Sequence, residues 1–127
     1  MTQYLTADEV KRLNASILGT ALVRDEHGLQ SAVARPQMVA YYQGADLAEQ
    51  ATVLIEGLAM SHPFVDGNKR TAAVAAITFL RLNGASLSYQ PSATQDEFGL
   101  HILAVVQHQE TANQLADWVR QHLVPWP

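Results

Sequence analysis

A polar decapeptide runs directly into a long apolar segment near the middle of the chain, and this junction limits how the chain can fold. The decapeptide at 62–71 reads His-Pro-Phe-Val-Asp-Gly-Asn-Lys-Arg-Thr, and the apolar segment at 72–80 follows it. An apolar segment of this length belongs in a core. The sequence therefore predicts a loop that opens a buried helix, and the unpaired N–H groups at a helix N-terminus attract anions.

Signals for the start of a helix recur along the chain, and apolar residues at helical spacing follow each of them. The segments 6–9 and 94–97 have the capping-box pattern, and Asp46 and Thr111 are further caps. The helix that Asp46 begins is expected to run to about Ser61. The box at 94–97 predicts a helix through roughly Val106.

The ends of the helices are also marked. Gly19 predicts the end of the first helix, and Pro36 the end of a short helix over 29–35. Asn83 and Gly84 are a stop signal for the helix that follows the motif. A loop that contains Tyr89 and Pro91 is expected after that stop.

The fold class follows from these signals together with the length of the chain. No stretch alternates convincingly at period two, and there are no internal repeats. With 127 residues, 48% of them hydrophobic, the chain is long enough for one core but not for two. We therefore predict an all-α fold, a compact bundle of about six helices in a single domain over 1–127, in which the loop that contains the decapeptide leads into a central helix.

Composition excludes several classes of function. A net charge of −4 gives no support for direct binding to nucleic acid. Without cysteine, the chain has neither a thiolate nucleophile nor a cysteine metal site. The first residues do not resemble a signal peptide, and the apolar run between Arg70 and Arg81 is too short to span a membrane. We therefore expect a cytoplasmic protein.

The first half of the decapeptide carries a candidate base. His62 lies where one helix is expected to end, and Pro63 prevents simple continuation. An imidazole held at such a position can reach into a cleft and accept a proton from a hydroxyl. Phe64 is expected to turn inward and fix the loop by packing.

The second half carries candidate ligands for a metal ion and for phosphate. Asp66 offers the hard oxygen that holds Mg²⁺ together with substrate phosphates. Gly67 allows a close approach of backbone to phosphate, and Asn68 offers both its side chain and its N–H. Lys69 and Arg70 supply positive charge, which makes sense in the first turn of a helix chiefly when an anion binds there. The site therefore favours phosphoryl or nucleotidyl transfer.

The decapeptide closely resembles the core motif of the Fic/Doc family, whose pattern is H-x-F-x-[DE]-G-N-x-R. The lysine after Asn68, the short chain and the segments 28–36 and 55–59 resemble the Doc ("death on curing") branch. The resemblance spans most of the chain, and the decapeptide is its most specific part.

Roles for individual residues follow from the resemblance by position. It implies that His62 is the catalytic base for a hydroxyl of a target protein and that Asp66 positions the metal. It also implies that Gly67 and Asn68 form the anion-binding turn and that Arg70 contacts phosphate. The cofactors implied are ATP and Mg²⁺.

The family contains two chemistries. Fic enzymes transfer AMP from ATP to a Ser, Thr or Tyr hydroxyl. Doc is a kinase that phosphorylates a threonine of elongation factor Tu and stops translation, and an antitoxin neutralises it with a segment that folds on binding. The resemblance thus implies the toxin of a type II toxin–antitoxin system, a protein Ser/Thr kinase whose target is a translation factor.

Two departures from the Fic pattern favour the kinase. Lys69 occupies the place of a second glycine, and Ala73 the place of a second arginine. A lysine adds a point charge to the anion site, and the loss of an arginine removes a fork-shaped phosphate ligand. Two alternatives stay open, a Fic-type AMP transferase and a catalytically inactive module that binds an antitoxin, although the intact motif argues against the second.

Overall fold

The structure is a computed structural model that describes residues 1–88 and 96–127. The described part is mostly helical, which confirms the predicted all-α bundle of six helices with a Fic/Doc-like fold. Its elements are α1 (Ala7–Leu18), α2 (Glu26–Gln43), α3 (Leu47–Met60), α4 (Asn68–Leu82), β1 (Ala85–Leu87), α5 (Glu97–Val106), α6 (Ala112–His122) and β2 (Leu123–Pro125).

Several predicted caps are confirmed. Thr6 and Thr111 each form a complete capping box, and the side chain of Asp46 accepts a hydrogen bond from the N–H of Glu49. Gly19 ends α1 in the left-handed region, with φ at 88°. These signals are local, and for this reason the sequence predicts them well.

The prediction that Pro36 closes a short helix is wrong. Asp25 caps α2, which starts at Glu26 and continues through Pro36 to Gln43. A proline inside a helix loses one hydrogen bond and crowds the preceding turn. Pro36 is buried, and α2 packs along α3, so burial in the tertiary structure outweighs this local penalty.

Two other predictions need correction. Asp96, rather than Thr94, caps α5, and Thr94 lies outside the described residues, as does the predicted loop with Tyr89 and Pro91. The short strands β1 and β2 were not expected. They pair antiparallel with Ser86 opposite Val124, and three residues each are too few to show a period in the sequence.

The helix that follows the motif occupies the centre of the fold. Helix α4 packs against α1, α3, α5 and β1, and its buried side includes Ala72, Ala75 and Phe79. Among the described residues, one hydrophobic core draws on all six helices. No described helix is both long enough and apolar enough to cross a membrane. The surrounding elements thus hold α4 in place, and the motif loop lies at the N-terminus of α4.

Candidate active site

The motif loop is anchored at its middle by Phe64. This side chain is 1% exposed and belongs to the hydrophobic core. Its backbone forms an antiparallel bridge with Val23, and the N–H of Val65 donates to the carbonyl of Leu22 at 2.9 Å. The segment that links α1 to α2 is therefore bound directly to the motif.

His62 lies just before this anchor, at the end of α3. Ser61 is the C-cap of that helix, and His62 follows with φ at 50°, in the left-handed region. A residue other than glycine pays about 1 kcal/mol or more to adopt this conformation. The His62 side chain is exposed, whereas Pro63 and Phe64 are buried. The side chain of the candidate base is thus exposed to solvent, and the two residues that follow it, Pro63 and Phe64, are held in place by burial.

Arg24 holds this turn in place, which the sequence did not predict. Its Nε and Nη2 donate to the carbonyl of His62 at 3.0 and 2.7 Å, and Nη2 also lies 3.3 Å from the carbonyl of Ser61. The N–H groups of Arg24 and Asp25 both donate to the carbonyl of Pro63. The partners of Arg24 lie nearly forty positions away in the chain, so no local pattern marks this role.

The side chain of Asn68 closes the loop by hydrogen bonds to the backbone of Phe64. Its Nδ2 donates to the carbonyl of Phe64 at 2.9 Å, and its Oδ1 accepts from the N–H of Phe64 at 3.0 Å. In this structure the side chain is engaged with the loop, and its expected donation to phosphate stays a prediction. The backbone N–H of Asn68 still lies at the start of α4.

The N-terminus of α4 differs from the other described helix starts. Gly67 is its N-cap with φ at 75°, and no described side chain caps it. Its first turn has no acidic residue, and it carries Lys69 and Arg70, both exposed and without an ion pair among the described residues. Uncapped N–H groups beside two cations favour a bound anion such as phosphate.

A buried asparagine of α1 supports this turn through hydrogen bonds from its side chain. Asn14 is 0% exposed, and its Nδ2 donates to the carbonyl of Asp66 at 3.1 Å and to Oγ1 of Thr71 at 2.9 Å. Its Oδ1 has no hydrogen-bond partner in the described structure. Asn14 was not singled out in the sequence, where it is one polar residue on a helical stripe.

Gly67 has close neighbours on α1. A Cβ at this position would lie 2.9 Å from Cδ1 of Leu18 and 3.4 Å from Nδ2 of Asn14. The positive φ favours glycine at this position, whereas the closest contact is with the end of the Leu18 side chain, which can move.

Asp66 offers a carboxylate to solvent at the same turn. Its side chain is exposed, and Oδ1 accepts a hydrogen bond from the N–H of Gly67 at 2.7 Å. Among the described residues, no three or more His, Cys, Asp or Glu side chains lie together in a way that could hold a metal ion. One carboxylate nevertheless fits Mg²⁺, which binds through one or two carboxylates together with substrate phosphates and water.

A cleft of about 160 Å³ lies beside this turn, between α4 and α5. Lys69 and Arg70 form one side, and Ala73 lies in its wall. The other described lining residues are Asp96, Gly99, Ile102 and Leu103. The small side chain at position 73 therefore leaves space next to the cations.

Comparisons with known proteins identify the family of this chain. A model of the Fic/DOC family matches residues 4–80, more than half of the chain. The chain belongs to the Fic/DOC family. Toxin Doc of Mycolicibacterium smegmatis is 45% identical over 93 residues, which cover 69% of this chain and 70% of that protein. Protein kinase doc of Escherichia phage P1 is 42% identical over 53 residues, which cover 42% of each chain.

Proposed function

We propose that this chain is a Doc-type toxin, a kinase that transfers the γ-phosphate of ATP to a Ser or Thr hydroxyl of a translation factor. The observation that carries the proposal is the start of α4, where uncapped N–H groups, Lys69 and Arg70 lie at one end of a loop that presents His62 at the other. The names of the two relatives, a toxin and a protein kinase, support the same assignment.

The proposed reaction uses few groups of the protein. His62 accepts the proton of the target hydroxyl as its oxygen attacks the γ-phosphorus. The new O–P bond forms while the bond between the γ-phosphorus and the β,γ-bridging oxygen breaks, and ADP leaves. The N–H groups of α4, with Lys69 and Arg70, hold the negative charge on the transferred group.

Asp66 is the residue proposed to hold Mg²⁺ in this complex. The metal would arrive with ATP, since no group of three or more described His, Cys, Asp or Glu residues could hold it and phosphate oxygens would complete the site. Bound there, Mg²⁺ would supply positive charge to the phosphate oxygens.

Lys69 and Ala73 favour phosphate transfer over transfer of AMP. Lys69 adds a cation to the first turn of α4, and Ala73 leaves the adjoining cleft open where an arginine side chain would enter it. Both residues change how a polyphosphate can lie against the same turn. We therefore expect the γ-phosphate, rather than the α-phosphate, to lie next to His62.

The proposed partners follow from the toxin assignment. A toxin of this kind requires a cognate antitoxin, which we expect to bind with a segment that folds on binding. The proposed target is a translation factor, with elongation factor Tu as the first to test, and the proposed location is the cytoplasm. With a net charge of −4, we propose no direct contact with nucleic acid.

ATP labelled separately at the α- and γ-phosphates tests the chemistry. The purified protein is incubated with elongation factor Tu, Mg²⁺ and each labelled nucleotide, with His62→Ala as the control. We expect label from the γ-position on the target with the wild type, and at least a hundredfold less with the variant because the base is lost, about 10² to 10⁴ in rate. Label from the α-position would show AMP transfer instead.

The same pair of proteins tests toxicity. Induced expression of the wild type should arrest growth, and His62→Ala should not. Equal arrest by both proteins would favour the inactive antitoxin-binding module.

A further inference from the structure

The geometry points to Arg24 as a positioning residue for His62, an inference that rests on the proposed function, in which His62 is the base. Arg24 touches neither nucleotide nor target in this role. It sets the direction of the imidazole by holding the backbone of His62 through hydrogen bonds to its carbonyl.

The backbone around His62 needs external donors. The last carbonyls of a helix have no partner inside the helix, and Ser61 ends α3. Pro63 has no N–H to offer to the turn. His62 itself adopts a φ of 50°, which a histidine does not prefer. The turn therefore depends on hydrogen bonds from elsewhere in the chain.

Arg24 supplies those donors in a geometry that only a guanidinium provides. Two of its nitrogens converge on the carbonyl of His62 at 3.0 and 2.7 Å, and Nη2 reaches the carbonyl of Ser61 as well. The planar fork fixes the angle of the carbonyl, which a lysine cannot do with a single nitrogen. Rotation of His62 to an ordinary φ would move that carbonyl and break these bonds.

The position of Arg24 is itself fixed. Its N–H and that of Asp25 donate to the carbonyl of Pro63 at 2.8 and 3.0 Å. The Asp25 carboxylate caps α2 by accepting from the N–H of Gly28 at 2.8 Å. The backbone of Arg24 is thus tied to Pro63 and to the start of α2, next to the turn that its guanidinium contacts.

The anion turn is supported separately. Asn14 holds the carbonyl of Asp66 and the hydroxyl of Thr71, and neither contact involves Arg24. Loss of the Arg24 guanidinium should therefore disturb the base and leave the phosphate site in place. This separation predicts a fall in kcat without a matching change in the KM for ATP.

The test compares Arg24→Ala, Arg24→Lys and, as a matched control, Arg35→Ala. Arg35 is another arginine on the surface, paired with Glu56 at 3.7 Å on α3. We expect Arg24→Ala to lower kcat by about tenfold to a hundredfold, since small displacements of a reacting group cost this much. The KM for ATP should stay within about twofold, as for a group that acts on the chemical step. Arg24→Lys should recover part of kcat, free guanidinium should partly rescue Arg24→Ala, and Arg35→Ala should behave as the wild type.

A second readout does not need activity. The NMR signals of the His62 ring should shift in Arg24→Ala and stay in place in Arg35→Ala, with the melting temperature of each variant recorded beside them. An unchanged kcat with unchanged His62 signals would overturn the inference. So would a parallel loss of kcat, ATP affinity and melting temperature without rescue, which indicates a structural role alone. If the wild type transfers no phosphate, the proposed function fails, and the His62 signals still decide the role of Arg24.

Discussion

Asn14 shows how much of the candidate site depends on one residue outside the motif. Its amide group is fully buried, and its two hydrogen bonds both end on the motif, at Asp66 and at Thr71. Its Oδ1 has no hydrogen-bond partner among the described residues. We interpret this asparagine as a support for the anion turn.

Replacement of Asn14 by aspartate tests this support with almost no change in shape. The variant puts an oxygen where Nδ2 donated, so it loses the hydrogen bond to the Asp66 carbonyl and buries a carboxyl group against that carbonyl. We expect the free energy of unfolding in urea to fall by more than about 2 kcal/mol. ATP affinity should fall as well, measured by calorimetry on the folded variant.

The control for this change is Asn113→Asp, an exposed position in the first turn of α6. Its unfolding free energy should stay within about 0.5 kcal/mol of the wild type. Equal stability of Asn14→Asp and the wild type would show that the hydrogen bond to the Asp66 carbonyl carries no weight.

At the scale of elements, the contact between α2 and α3 decides where the motif starts. A Cβ on Gly57 would lie 2.7 Å from Cβ of Ala32 and 2.9 Å from its Cα. The two helices therefore approach closely at this point, and Pro36 lies one turn further along α2. Since α3 leads into His62, the spacing of these helices sets the position of the loop.

Gly57→Ala should reverse the usual effect of this substitution. In an open helix the change stabilises by about 1 kcal/mol. Here the methyl group meets backbone of α2, so the free energy of unfolding should fall by about 1 to 3 kcal/mol, measured by urea denaturation. In the double variant Gly57→Ala, Ala32→Gly, the shortest contact is relieved, so its loss should be smaller than the sum of the two single losses. Strictly additive losses would argue against a direct clash.

At the scale of the whole molecule, charged groups join the last helix to the third. Arg120 of α6 lies 2.8 Å from Asp46 and 3.1 Å from Glu49 at the start of α3, and 2.6 Å from Asp117 on its own helix. The hydrogen bond from Arg120 holds the pKa of the Asp46 carboxyl below its ordinary value, against a smaller opposing effect of burial. The same pairing raises the pKa of Arg120.

This shift predicts a dependence of stability on pH. Because the pKa of Asp46 is lower in the folded state, its contribution is present above the unfolded pKa and is lost as the pH falls through the folded pKa. Asp46→Asn keeps an oxygen to cap α3 but removes the charge. The wild type should therefore be more stable than the variant near pH 7, by less than about 1 kcal/mol because the pair is half-exposed.

Urea denaturation across the acid range measures this difference. The gap between the two proteins should shrink toward pH 2 and should also shrink in high salt, which screens exposed pairs. A gap that persists unchanged in acid would show that the charge of Asp46 is not its cause.

The helix caps and helix ends were predicted from the sequence because they depend on residues within about one helical turn. Thr6, Asp46 and Thr111 cap their helices through bonds that span three residues, and Gly19 ends α1 for a reason of backbone geometry. The core motif is also contiguous, so it was sufficient to indicate the family. Each of these signals concerns residues that are close in the chain in any fold.

How the motif is held depends on contacts between residues that are distant in the chain. Arg24 reaches His62 across 38 positions and Asn14 reaches Asp66 across 52, and both partners are backbone carbonyls that carry no mark in a sequence. Burial likewise carried α2 through Pro36. A carbonyl accepts a hydrogen bond from any donor the fold brings within about 3 Å. The donors that hold the candidate base and the anion turn are therefore fixed by packing between helices and not by local pattern.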